Sequence, residues 1–587
     1  MTTITIPSTP MRRPLFVMPR GTTVWHWALF LVLAFCVLAP LAFLVLGSLS
    51  DARMPTDIDL SRLSFANYRE VWGDPSTYAL FYNTFVYVTG AVAVGISLAA
   101  ILAWLVERTD MPGKIWIYAG VPMTLAMPGM LQAMAWVLLL SPRIGFLNTF
   151  IKDLFGLDEM PFDVYTLWGM VFVEGLRLVP TAFLMLVPLL RSMDPALEEA
   201  AAMSGASPGS TIRKVTAQLM VPGLFAVLIY QAVTALEVFE VPGILGMPAG
   251  IFVFSTKIYS LLHSATGLPY YGQANALAAL YLGIAVVATW AYAKVIAKSE
   301  RYTIVTGKGY RPRLLKLGGW RWAAIALVLA FLIFSIILPF IVFLYVSFLP
   351  FLQAPTAAAF EVMTLDNYRI LFERELIGIV LWNTVILTVV TSTATVLVSF
   401  LISLVVVRSR FWGRRVLDQL AFAPHAIPGI VMGVAFLWLF LQADKQGLPL
   451  FGGLVSIAIA FVIGYLSYGT RVMNAAILQI HKDLEEAAYV SGAVQWRTMW
   501  RVFFPLMMPA FVGVWVWTML HVVRSASLPL ILYEGQQNQV LAVLIWNMWD
   551  EGQVQTVGAL GAIMILVLLA LTMAVRAFIF DRGARMQ

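Results

Sequence analysis

Apolar runs of about 20 residues recur along this chain between short polar connections, and that is the length a helix needs to cross a bilayer. The pattern predicts helices at 25–48, 78–106, 115–140, 164–190, 219–240 and 275–297. It predicts six more at 320–348, 376–407, 416–442, 451–478, 505–525 and 555–579. Short alternating strands are not seen, and a backbone in lipid must satisfy its own peptide groups. The expectation is an all-α polytopic membrane protein with about 12 transmembrane helices. An even number places both termini on one side. The first run is long for a signal peptide and has no clear small-residue cleavage site, so it is read as a retained helix.

The polar positions give the orientation. Residues 294–321 hold eight bases, Lys294, Lys298, Arg301, Lys308, Arg311, Arg313, Lys316 and Arg321, against one acid, Glu300. Residues 349–377 hold Arg369 and Arg374 with the acids Glu361, Asp366, Glu373 and Glu375. Arg408, Arg410, Arg414 and Arg415 mark another basic connection. The positive-inside bias puts both termini, 107–114, 191–218, 294–321, 408–415 and 479–504 in the cytoplasm.

The pattern also repeats. Asn67-Tyr68-Arg69 returns as Asn367-Tyr368-Arg369, and Asn83-Thr84 as Asn383-Thr384, both 300 residues on. Arg108 pairs with Arg408, Gly113 with Gly413, and Pro128-Gly129 with Pro428-Gly429 at the same spacing. The spacing then falls to 287, pairing Glu198 with Glu485, Gly205 with Gly492, Pro222 with Pro509 and Pro242 with Pro529. The first half therefore carries about 13 extra residues before Glu198. Two six-helix halves of the same orientation make a parallel repeat. The expected organisation is a tail 1–24, a first half 25–297, a basic linker 298–318, a second half 319–580 and a tail 581–587. The Pro-Gly pairs are expected to kink or loosen the third helix of each half.

Composition agrees with this reading. The chain is 60% hydrophobic and 12% charged, whereas soluble domains are about 25% charged. The net charge of +7 lies largely in connections, so it speaks for topology rather than nucleic acid. Cys36 is the one cysteine, and the five histidines are scattered. Neither supplies a disulfide framework within the chain or a metal site of ordinary ligand spacing. There is no G-x-x-x-x-G-K-[ST] to cradle phosphates, and Thr306-Gly307-Lys308-Gly309 lacks the context of one.

Two near-copies of a segment stand out in the cytoplasmic loops: EEAAAMSG at 198–205 and EEAAYVSG at 485–492. Each predicts a short helix with acids in its first turn, where the helix dipole favours them. Gly205 and Gly492 permit a sharp turn. A second short helix follows at about 207–217 and 495–503. Such a unit projects from a membrane surface and suits a groove on a partner. The alternative is an amphipathic loop that caps the bundle.

The pattern of Glu-Ala-Ala, three residues, Gly, nine residues and an Ile-x-Leu-Pro tail resembles the coupling motif of permease subunits in ABC importers. Glu199-Ala200-Ala201 and Gly205 match it, as do Glu486-Ala487-Ala488 and Gly492. Val502-Phe503-Phe504-Pro505 fits the tail, while Val215-Thr216-Ala217-Gln218 lacks the proline. The resemblance covers about 60 to 580. It implies two parallel six-helix type I importer repeats in a bacterial inner (plasma) membrane. It implies that Glu198, Glu199, Ala200, Ala201 and Gly205, with Glu485, Glu486, Ala487, Ala488 and Gly492, form ATPase-coupling sites. The implied partners are two copies of an ATP-binding cassette subunit and a periplasmic or extracellular substrate-binding protein. The chain itself would need no cofactor and have no catalytic activity. Residues 238–243, 248–254 and 302–313 look like the iron(III) importer branch, with thiamine, polyamine and phosphonate permeases as relatives of the same plan.

Charges within apolar runs are costly and invite a functional reading. Glu174 and Arg177 lie one turn apart, as a local ion pair or as part of a pathway. Glu237 and Glu240 close the fifth helix, and the 287 spacing maps Glu237 onto Arg524. These three form a candidate pathway or gate, with Glu237 meeting Arg524 at the outer mouth or both simply exposed at the membrane edge. An ion-driven secondary transporter is the more distant alternative. It predicts paired acids or broken helices at mid-membrane and leaves the twin cytoplasmic segments unexplained.

Overall fold

The computed structural model describes residues 22–585 except 53, 55–56, 58–59, 192–199, 202, 265–266, 300–313 and 493. Among these residues β pairing is confined to three isolated bridges. Among the described residues nine helices are long and apolar enough to cross a membrane: Val24–Leu49, Pro75–Arg108, Leu167–Arg191, Tyr271–Tyr292, Gly318–Ser347, Glu375–Arg408, Leu454–Gln479, Met499–Arg524 and Val554–Ala574. Three bent pairs complete the expected twelve: Lys114–Ala126 with Gly129–Leu140, Lys214–Val221 with Gly223–Glu237, and Arg414–Ala426 with Gly429–Lys445. In chain order these are the first to the twelfth membrane helices.

The third and ninth helices are broken more sharply than the word kink conveys, by 93° and 112°. Proline lacks the N–H of a helical residue, and it disfavours the helical region for the residue before it. Met127 accordingly sits at φ −75°, ψ 118°, and Pro128 at φ −63°, ψ 137°. A fourth bent pair, Pro242–Ala249 with Phe254–Leu262 at 73°, has no counterpart among the twelve expected helices. Each arm is less than half the length of about 20 residues that hydropathy detects as a span. Its repeat partners are Ser527–Leu532 and Leu541–Asp550.

Two compact units organise the described residues. One gathers those of 1–39, 389–425 and 461–519, and the other those of 40–388, 426–460 and 520–587. The units do not follow the sequence halves.

The repeated dipeptides hold helix ends. Asn67 donates to the carbonyls of Ser48 and Ser50 at 3.1 and 2.8 Å, and the Tyr68 hydroxyl meets Ser48 Oγ at 2.8 Å. Asn367 donates to Ser347 and Leu349 at 2.9 and 2.7 Å, with Tyr368 on Ser347 Oγ at 2.8 Å. The carbonyls that end a helix have no intrahelical partner, and these side chains supply one. Asn83 and Thr84 bind Phe252 O and Phe254 N, while Asn383 binds Gln537 O and Gln539 O and Thr384 binds Leu541 N. Both pairs therefore pin the start of the second short arm.

The extra residues of the first half include a helix, Phe146–Phe155, ended by Gly156 at φ +61°. Buried Asn148 stitches this insertion to Phe162, donating to its carbonyl at 2.6 Å and accepting from its amide at 3.1 Å. The described end of the linker is fastened as well. Leu315 N donates to Arg108 O at 2.9 Å, Asp110 N to Leu315 O at 3.0 Å, and Leu317 N to Asp110 Oδ1 at 2.8 Å.

Small residues let the second and fourth helices approach closely, as is common between membrane helices. A Cβ on Gly95 would lie 2.8 Å from Leu178 Cβ, and one on Gly175 would lie 2.7 Å from Val94 Cγ1.

Candidate functional site

Glu198 and Glu199 lie outside the described residues, and Ala200 and Ala201 are in helical conformation. In the second copy, Glu485, Glu486, Ala487 and Ala488 all fall in the helix Lys482–Val490. Glu486 and Ala487 are exposed and Ala488 is half-buried, the pattern that Ala200 (exposed) and Ala201 (half-buried) also follow.

The turn is the same in both copies. Ser204 N and Oγ donate to Ala200 O at 3.0 and 2.8 Å, and Ser491 N and Oγ donate to Ala487 O at 3.0 and 2.8 Å. Gly205 then adopts φ +80° and Gly492 φ +77°, a region that L side chains avoid. A Cβ at either glycine would meet only open space, so backbone conformation rather than crowding selects glycine. The short second helices also match. Pro208–Thr211 leads into a π-helical turn at Ile212–Thr216, and Gln495–Thr498 into one at Met499–Phe503. Met203 and Val490 occupy equivalent positions before the turn and are each 89% exposed. Each copy thus holds out a bare apolar side chain beside the turn.

Each half also carries an arginine that the sequence paired without giving it a role. Arg108, 3% exposed, donates through Nη2 to Leu190 O at 3.0 Å. Arg408 donates through Nη2 to Ile477 O at 3.0 Å and Ile480 O at 2.6 Å. Its guanidinium also lies 5.7 Å from the centroid of the Phe503 ring. The equal spacing of Arg108 and Arg408 was the signal, but spacing alone names no acceptor.

The intramembrane charges gather in the larger unit. Arg177 Nε and Nη2 donate to Glu174 Oε2 and Oε1 at 2.8 and 2.6 Å, and the Glu174 side chain is fully buried. The local ion pair is therefore formed. A Cβ on Gly129 would lie 3.2 Å from Arg177 Cδ, so this pair abuts the break in the third helix. Arg524 reaches the same break, where its guanidinium donates to Leu125 O. Arg524 is itself the last residue of the eleventh membrane helix, Met499–Arg524. The fifth helix stops at Glu237, and a bent hairpin follows it. Glu237 and Arg524 are both half-buried. The acid that reaches the second half is Glu240, whose Oε1 accepts from Ala526 N at 3.4 Å. Among the described residues no group of three or more His, Cys, Asp and Glu is arranged to hold a metal ion.

Residues 396–585 match the family described as binding-protein-dependent transport system inner membrane component. The second half of the chain is thus similar to permease components of binding-protein-dependent importers. A ferric transport system permease protein, FbpB, of Actinobacillus pleuropneumoniae is 26% identical over 84% of this chain and 69% of its own length. The Fe(3+)-transport system permease protein FbpB 2 of Haemophilus influenzae is 20% identical over 91% of this chain and 94% of its own. A solved bacterial ABC transporter involved in import of the acidic polysaccharide alginate aligns at 17% identity with a TM-score of 0.35, over 45% of this chain and 96% of that chain.

Proposed function

We propose that this permease carries iron(III) inward across the bacterial inner membrane, in a complex with two ATP-binding cassette subunits and a substrate-binding protein outside. Both termini then lie in the cytoplasm, and the chain needs no cofactor of its own. ATP is hydrolysed on the separate subunits. The observation that carries the reading is the pair of identical turns at Gly205 and Gly492, 287 residues apart. One chain offers two equivalent docking points, as two ATPase copies require. Met203 and Val490, bare and apolar, suit a groove on each ATPase. Iron(III) is favoured by the ferric permeases among the relatives.

Alternating access needs contacts that the two halves make in one state and release in another. Glu240 on Ala526 and Arg524 on Leu125 join the two sequence halves at helix breaks, which suits a gate, and Glu237 flanks it. The test is to tag the chain, extract it gently from native membranes and identify its companions by mass spectrometry. Two ATPase copies per chain and a binding protein loaded with iron(III) are the expected result. A chain that comes out alone and transports on an ion gradient without ATP sinks the reading.

A further inference from the structure

We infer that Arg108 and Arg408 are positioning residues that make each coupling segment move as one body with the end of a membrane helix. The inference rests on the docking reading above and adds the part that carries force from the segment into the bundle.

Each arginine ends one helix and binds the end of another. Arg108 is the last residue of Pro75–Arg108, and its acceptor Leu190 is in the last turn of Leu167–Arg191. Arg408 is the last residue of Glu375–Arg408, and its acceptors Ile477 and Ile480 lie at the end of Leu454–Gln479 and just beyond. Those two receiving helices are the ones that lead into the coupling segments. The arginines are 300 residues apart and the acceptors Leu190 and Ile477 are 287 apart, so the contact obeys both spacings of the repeat. Both distances are 3.0 Å. A local accident in one half does not reproduce itself across that change of spacing.

The chemistry is suited to a pin. Carbonyls in the last turn of a helix lack intrahelical partners and carry the negative end of its dipole. A guanidinium answers both and stays charged at any physiological pH. In the second half Arg408 also faces the ring of Phe503, which belongs to the turn after the coupling segment. It thus touches the chain on both sides of the segment. A push on that segment reaches the eighth helix through Arg408 rather than bending a loose loop.

The test uses the complete complex in liposomes, with radiolabelled iron(III) on the binding protein, and compares uptake per ATP hydrolysed. In Arg108→Met and Arg408→Met the ATPase is expected to remain bound and to hydrolyse ATP within about twofold of wild type, while uptake per ATP falls on the order of tenfold, inside the range usual for coupling between sites. Lysine at either position keeps a charged donor and is expected to restore most of the ratio. A lesion of folding alone would lower ATPase binding and hydrolysis together. Should a Met variant fail to insert, Arg→Gln at that position decides, with a lowered ratio expected. A wild-type ratio in inserted variants, or loss of the ATPase from them, overturns the pin. A wild-type chain that binds no ATPase overturns the docking reading instead.

Discussion

Ser204 and Ser491 close the same turn with the same two hydrogen bonds, yet the same 287 spacing carries Glu174, Arg177 and Glu240 onto Phe461, Gly464 and Ser527. The two halves agree at the twin segments and differ at these charged positions. The difference separates two kinds of determinant. A turn fixed by local hydrogen bonds and one positive φ survives duplication as long as serine and glycine remain. A buried charge depends on partners from other helices, and burying one pair is already expensive. The halves are thus alike where the backbone alone sets the turn and unlike where a side chain needs partners from other helices.

The largest expected effect breaks that inequality. Arg177→Met alone leaves the Glu174 carboxylate buried without its partner and should cost about 3–5 kcal/mol. Adding Glu174→Gln should recover much of the loss, because the first half then becomes as uncharged there as the second. Thermal unfolding in detergent measures both, and equal losses in the single and double variants would rule the pair out as a coupled unit.

Smaller effects sharpen the likeness. Asn383 donates to two carbonyls at 2.7 and 2.9 Å, and Asn83 to Phe252 O at 3.1 Å. At about 1 kcal/mol per hydrogen bond, Asn383→Ala should lower stability more than Asn83→Ala, by melting in the same detergent. Equal shifts would mean that the two pins are interchangeable. Gly205→Ala and Gly492→Ala should each cost about 1–2 kcal/mol of backbone strain and reduce transport to a similar degree. Unequal uptake would mean that one docking point dominates despite the matched turn.

The smallest effect is a pH dependence confined to the first half. Asp74 caps its helix by accepting from Ser76 N and Oγ at 2.8 and 2.7 Å, where the second half has Arg374. The Ser76 hydroxyl, and then its amide, hold the Asp74 carboxyl below the usual range. A group whose folded pKa is depressed stabilises above its unfolded pKa and loses that contribution as pH falls through the folded one. Melting should therefore drop slightly below about pH 4 in wild type and less in Asp74→Asn. An identical pH profile in the two proteins removes Asp74 as the cause.

Much of this was written in the sequence. Hydropathy named twelve spans because a bilayer imposes one length on every helix. The twin segments and Gly205 and Gly492 were legible because a positive φ restricts residue type locally. The Pro-Gly pairs marked the breaks at 128–129 and 428–429, though their angles were not legible. The hairpin Pro242–Leu262 escaped because its arms are too short for a hydropathy window. Arg108 and Arg408 were visible as a pair, but their acceptors are backbone carbonyls, and every residue has one of those. Which acid reaches the other half was likewise beyond spacing. It depends on where the fifth helix stops, and tertiary packing selected Glu240 for Ala526 and Leu125 for Arg524. Sequence determined whatever one residue imposes on its own backbone or on its contact with lipid. Only the tertiary structure decided which distant atom meets a given side chain, because that choice belongs to several helices at once.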